Sequence, residues 1–180
     1  MPRSTTALTA VAVGAAVALG TMTAAPTTAE ASTITASARV LSNNQVAYNY
    51  FVTKGLTRQQ SAAVVGNFMQ ESGSPINPKA RQYGGPGMGI AQWSRGSRWS
   101  QLVRYASKTK RSPYALRTQL DFVWVELNGS EKRALKKLRA TKTTAAATMS
   151  FSAYYERCAP RYCANGTRIR NANKVFKLYA

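Results

Sequence analysis

Thr57-Arg58-Gln59-Gln60-Ser61-Ala62-Ala63-Val64-Val65-Gly66-Asn67-Phe68-Met69-Gln70-Glu71-Ser72-Gly73 is the stretch on which the reading of this chain turns. Thr57 followed three residues later by Gln60 makes a capping box, which closes two of the free N–H groups at a helix start. Val64, Val65, Phe68 and Met69 then share one face at helical spacing, and Gly73 stops the pattern. Glu71 falls in the last turn. It follows Val64 by seven residues and Phe68 by three, so it projects from the apolar stripe instead of the solvent side.

Working outward, a helix is predicted upstream over 43–54, carrying Val46, Tyr50 and Phe51 and halted at Gly55. Downstream, Ser74 to Trp93 carries Pro75, Pro78, Pro86 and four glycines between Gly84 and Gly89. That is turn chemistry, with room for a short hairpin. Ser112-Pro113 supplies an N-cap and a first-turn proline for a helix with Leu116, Leu120, Val123 and Leu127 at helical spacing, ended by Asn128-Gly129. Phe122 and Val125 make this helix apolar nearly all round, which places it in the middle of the domain. Further helices are predicted at 131–139, 143–155 and 168–178. The fold class is mainly α, with a small β-hairpin or irregular lobe after the Glu71 helix. No repeat, heptad run or linker interrupts 43–180, which reads as one domain.

The first residues lead from Arg3 into an apolar, Ala-rich run from Ala7 to Leu19, then small residues and Ala29-Glu30-Ala31. This is the layout of a signal peptide over 1–31, with a processing tail or linker over 32–42. Ala25 and Ala38 are alternative cleavage points. The run is too short to span a bilayer, and nothing later is apolar for longer, so stable membrane insertion is not expected. Export would place Cys158 and Cys163 in an oxidising compartment, which predicts a disulfide worth about 2 kcal/mol for so short a loop.

The 180 residues hold 25 Lys and Arg against 6 Asp and Glu, a net charge of +19. Arg3 and Glu30 cancel, so cleavage after Ala31 leaves that charge unchanged. The expected partner is polyanionic: a bacterial envelope rich in anionic polymers. The bases are spread from Lys54 to Lys177, with no run of consecutive bases and no interleaved aromatics of a nucleic-acid site, so nucleic acid is not the expected partner. Mutual repulsion favours a monomer.

The chain has no histidine and two cysteines. Ser-His-Asp triads, Cys-His pairs, His-based zinc and four-Cys zinc sites are therefore excluded, and neither metal nor cofactor is expected. The glycines at 84, 85, 87 and 89 lack the Lys-Ser or Lys-Thr of a phosphate loop and are read as bending the backbone for close approach of an extended ligand. Carboxylates remain as the catalytic groups. Past residue 31 these are Glu71, Asp121, Glu126, Glu131 and Glu156. Glu131 reads as a helix-start carboxylate and Glu156 as a neighbour of Arg157. Glu71, half desolvated beside a glycine-rich opening, has the setting that keeps a carboxyl protonated, as glycosidic hydrolysis requires.

The run Val65 to Gly73, then Asn77-Pro78, then Gly87-Met88-Gly89-Ile90-Ala91-Gln92-Trp93 resembles the phage tail lysozyme family, within the lysozyme-like superfamily shared with goose-type lysozymes and lytic transglycosylases. Gln119 to Leu127 and Tyr154-Tyr155-Glu156-Arg157 extend the resemblance, with Arg170, Ala172 and Tyr179, over nearly all of 43–180. It implies a lysozyme-like α+β domain and a peptidoglycan β-1,4-glycosidase in which Glu71 protonates the scissile oxygen. Ser72 would hold nearby groups, Gln92 and Trp93 would contact sugar, and Tyr83 and Tyr155 are further cleft candidates. No acidic residue lies between Glu71 and Trp93, so Asp121 or Glu126 is the candidate second carboxylate. Without one, the substrate's own acetamido or 6-hydroxyl group could complete the reaction, the latter giving the 1,6-anhydro product of a lytic transglycosylase. A non-catalytic cationic wall binder is the third reading.

Overall fold

The computed structural model describes residues 40–158 and 162–180; the segments expected as a signal peptide (1–31) and, for the most part, as a processing tail (32–42) lie outside the described residues. Seven α-helices and one small sheet follow in order: α1 Asn43–Thr53, α2 Arg58–Ser72, β1 Gly87–Met88, β2 Trp93–Ser94, α3 Arg98–Lys108, α4 Leu116–Asn128, α5 Lys132–Arg139, α6 Thr144–Phe151, a π-helical turn Ser152–Glu156, and α7 Asn165–Tyr179. The architecture is mainly helical with a two-stranded antiparallel sheet, as the sequence predicts.

Helix α2 starts where its capping box directs. Thr57 Oγ1 accepts from the Gln60 N–H and Gln60 Oε1 accepts from the Thr57 N–H. Every residue from Gln60 to Met69 is buried. That makes α2, and not α4, the central helix. The reason is side-chain size: Ser61, Ala62, Ala63 and Gly66 let neighbours approach on the faces the large apolar residues leave open. A Cβ on Gly66 would lie 2.5 Å from the Ala172 nitrogen of α7. Helix α4 keeps an open side, with Val125 48% exposed.

Two further differences have local causes. Sequence patterning names no element between 94 and 111, yet α3 occupies Arg98–Lys108 and buries Trp99, Leu102 and Ala106. Ser97 stands at its N-cap, but no acid follows in the first turn and no Glu or Gln three residues on, so the start signal is weak. Helix α4 begins at Leu116, three residues beyond the predicted proline position, because Ser112 closes a separate turn: its Oγ accepts from the Tyr114 N–H and its carbonyl from the Ala115 N–H. Within the segment expected as one helix over 143–155, α6 gives way at Ser152 to the π-helical turn, which Arg157 ends in the left-handed region at φ 54°.

The hairpin pairs Gly87 with Ser94 and Met88 with Trp93. Gln119, fully buried on α4, fixes this lobe to the helices. Its Oε1 accepts from the Ile90 N–H, and its Nε2 donates to the carbonyls of Pro78 and Pro113. At Gly89, φ is 71° and an added Cβ would fall 2.7 Å from Gln119 Oε1. The close approach this glycine permits is thus to a side chain of the protein itself, which corrects the expectation of a ligand there.

Candidate active site

A cleft of about 390 Å³ opens between the end of α2, the hairpin lobe and the π-helical turn, lined by Glu71, Gln82, Ala91, Gln92, Glu156 and Cys158. The chain leaving α2 and the two lining amides are held from behind. Ser72 Oγ donates to the Phe68 carbonyl and accepts from the Asn77 N–H, fixing the chain as it leaves α2. Gln82 Oε1 accepts from the Gly87 N–H, and Gln92, at φ 46°, donates from Nε2 to the Gly89 carbonyl. A left-handed non-glycine residue is uncommon and clusters at functional sites.

Glu71 Oε1 lies 2.5 Å from Arg168 Nη2 of α7. The arginine is buried, and its other donors are committed: Nε to the Cys163 carbonyl, and Nη1 to the carbonyl and side-chain oxygen of Asn67. The close crossing of α2 and α7 at Gly66 makes this reach possible.

The structure brings into the cleft a carboxylate that the sequence reads only as a neighbour of Arg157. Glu156, on the π-helical turn, faces the same cleft as Glu71. Its Oε1 is withdrawn from solvent and has no hydrogen-bond partner. Burial, followed by the charge of Glu71, pushes its carboxyl well above the usual carboxylate range; Arg168 and Arg98 oppose the rise and Glu126 adds to it. Adjacent residues on a helical turn point apart, so Arg157 turns away from Glu156 and pairs with Glu131 instead. The Tyr-Tyr-Glu-Arg run was the one sequence signal that could have singled it out.

Neither expected second carboxylate lines the cleft. Asp121 sits between Arg111 and Arg117 and accepts from the Tyr50 hydroxyl; these bonds outweigh its burial and hold its carboxyl below the usual range. Glu126 is 4% exposed and fully engaged. It accepts from Arg98 through both oxygens, and its Oε2 also accepts from Trp93 Nε1 at 3.1 Å and the Tyr155 hydroxyl at 2.6 Å. Trp93 and Tyr155 are accordingly core residues, 1% and 0% exposed, and not sugar platforms. Trp93 packs edge-on against Phe122, and Tyr155 stacks on Phe151 with Arg98 over its ring. Tyr83 is fully exposed on the loop beside Gln82.

Cys158 and Cys163 form the expected disulfide, with their Cα atoms 5.2 Å apart, and Cys158 forms part of the cleft wall directly after Glu156 and Arg157. Among the described residues no group of three or more metal-ligating side chains comes together, and no helix is long and apolar enough to cross a membrane.

An open cleft carrying two carboxylates and two amides can donate a proton to a bridging oxygen while holding hydroxyl or acetamido groups. No curated protein matches the sequence. The model of the phage tail lysozyme family matches residues 42–179. The chain belongs to the phage tail lysozyme family, with the lysozyme-like, peptidoglycan-degrading activity that this membership carries.

Proposed function

We propose that the cleft takes a peptidoglycan glycan strand and hydrolyses the β-1,4 bond between N-acetylmuramic acid and N-acetylglucosamine, with Glu71 as general acid. The observation that carries this reading is the position of Glu71: it lies just past the buried stretch Gln60 to Met69 of α2, at an open cleft, against a buried arginine. Glu71 gives its proton to the leaving oxygen as the C1–O bond breaks, and Arg168 stabilises the carboxylate that remains. Gln82 and Gln92 offer amides to the sugar substituents, Ser72 fixes the loop, and exposed Tyr83 supplies a ring beside the cleft. The enzyme acts as an exported monomer, and its charge of +19 concentrates it on the anionic wall.

Glu71→Gln tests the assignment. The variant should stay folded while release of soluble fragments from purified peptidoglycan falls about 10²–10⁴-fold. Wild-type rates from folded variant protein would remove Glu71 from its role. Mass spectrometry of the wild-type products sharpens the reaction type. Reducing disaccharide muropeptides are expected, and products lighter by one water would replace hydrolysis with lytic transglycosylation.

A further inference from the structure

Of the described side-chain carboxylates, Glu71, Asp121, Glu126 and Glu131 are each in an ion pair with an arginine. Glu156 has no such pair, in a chain with 25 basic residues. It also carries the sole buried carboxylate oxygen without a hydrogen-bond partner among the described residues. A carboxylate that only closed a structure would be expected to find a partner, since leaving such a group unsatisfied costs about 1–3 kcal/mol or more. This one instead lines the same cleft as Glu71.

From this placement we infer that Glu156 is the second catalytic carboxylate, and that it and Glu71 work as a pair holding one proton between them. The inference rests on the glycosidase reading of the cleft and deepens it. Glycoside hydrolysis needs one carboxylic acid and one carboxylate on either side of the bond, and two neighbouring carboxyls of which only one ionises readily meet that need. The groups facing Glu156 are consistent with this: Glu71 from α2 and Glu126 from α4 oppose its ionisation, while Arg98 from α3 and Arg168 from α7 keep the pair from holding two protons. In the step, the one proton of the pair, held on Glu156 at rest, passes through Glu71 to the leaving oxygen as the C1–O bond breaks, which leaves Glu156 as the carboxylate. The oxygen of a water molecule bonds to C1, and the carboxylate takes the proton that water loses. The pair begins and ends with one proton. The π-helical turn is the device that aims Glu156 inward while Arg157 turns out, and the Cys158–Cys163 disulfide fixes the turn's far end.

The test is the pH–rate profile of peptidoglycan solubilisation by wild type, Glu71→Gln and Glu156→Gln. Wild type should give a bell. Glu156→Gln should lower the maximal rate about 10²–10⁴-fold and collapse the bell to a single limb, because one titrating partner is gone. A folded Glu156→Gln protein with wild-type rate and an intact bell would overturn the inference while leaving the glycosidase reading standing. Failure of wild type to release any glycan fragment, or an undiminished Glu71→Gln, would overturn that underlying reading instead. Carboxyl 13C NMR on the wild-type protein keeps the question decidable if the variant does not fold. Glu156 should titrate above the ordinary value of about 4.3 and move down when Glu71 is changed to Gln. Titration in the ordinary range, or indifference to Glu71, would overturn the pairing.

Discussion

Glu126 and Glu156 are both withdrawn into the wall of this domain, and Tyr155 immediately precedes one while bonding to the other, yet their surroundings are opposites. Around Glu126 three elements each contribute a donor: Trp93 from β2, Arg98 from α3 and Tyr155 from the π-helical turn. Among the described residues none donates to the buried Oε1 of Glu156. Burial alone therefore does not mark a working carboxylate. The useful distinction is whether the fold has used up the group's hydrogen-bonding capacity, because a saturated carboxylate locks elements together and an unsaturated one remains able to take or give a proton.

The contrast can be broken most forcefully at Glu126. Its replacement by Ala leaves Arg98, 21% exposed, without a counter-charge and should cost about 3–5 kcal/mol in urea unfolding, while the folded fraction keeps a bell-shaped profile whose Glu156 limb moves to lower pH. Loss of the bell at little cost in stability would reverse the two roles. Gly66→Ala sharpens the cleft side. Alanine is the better helix former by about 1 kcal/mol, but its Cβ would strike the α7 backbone at Ala172, so a net loss of about 1–3 kcal/mol is expected. Because Arg168 lies one turn before Ala172, peptidoglycan solubilisation per folded molecule should fall as well. The smallest effect concerns pH and stability. Folded Glu156 keeps a proton that the unfolded chain releases above the ordinary Glu range, so its contribution to stability declines as pH rises through the interval between the two values. Glu156→Gln should accordingly raise the thermal midpoint relative to wild type at pH 7 and lose that advantage near pH 3; no difference between the two pH values would contradict it.

Where sequence signals were local and redundant, they located the structure closely. The Thr57–Gln60 box and the Val64 to Met69 stripe fix α2, and Pro- and Gly-rich turn chemistry places the hairpin lobe. Helix α3 escaped because no acid and no Glu or Gln at the third position strengthen Ser97 as its start, although Trp99, Leu102 and Ala106 hold a clear apolar face. Trp93 and Tyr155 were misread for a different reason. An aromatic residue beside a proposed cleft can serve sugar or core equally well, and only the three-dimensional position of Glu126 decides. Glu71 was legible as a candidate because helical periodicity placed it on the stripe. Glu156 was not, because its orientation depends on the change from α to π geometry at Ser152, for which periodicity carries no signal.

The Glu71–Arg168 pair joins residues 97 positions apart in the chain. During synthesis the carboxylate emerges long before the arginine that will hold it, and nearly every other element of the domain is made in between. Completion of the cleft and closure of the α2–α7 contact therefore coincide. A partly made chain holds Glu71 without its partner, so on the proposed reading catalytic competence arrives as a late, single event instead of growing with chain length.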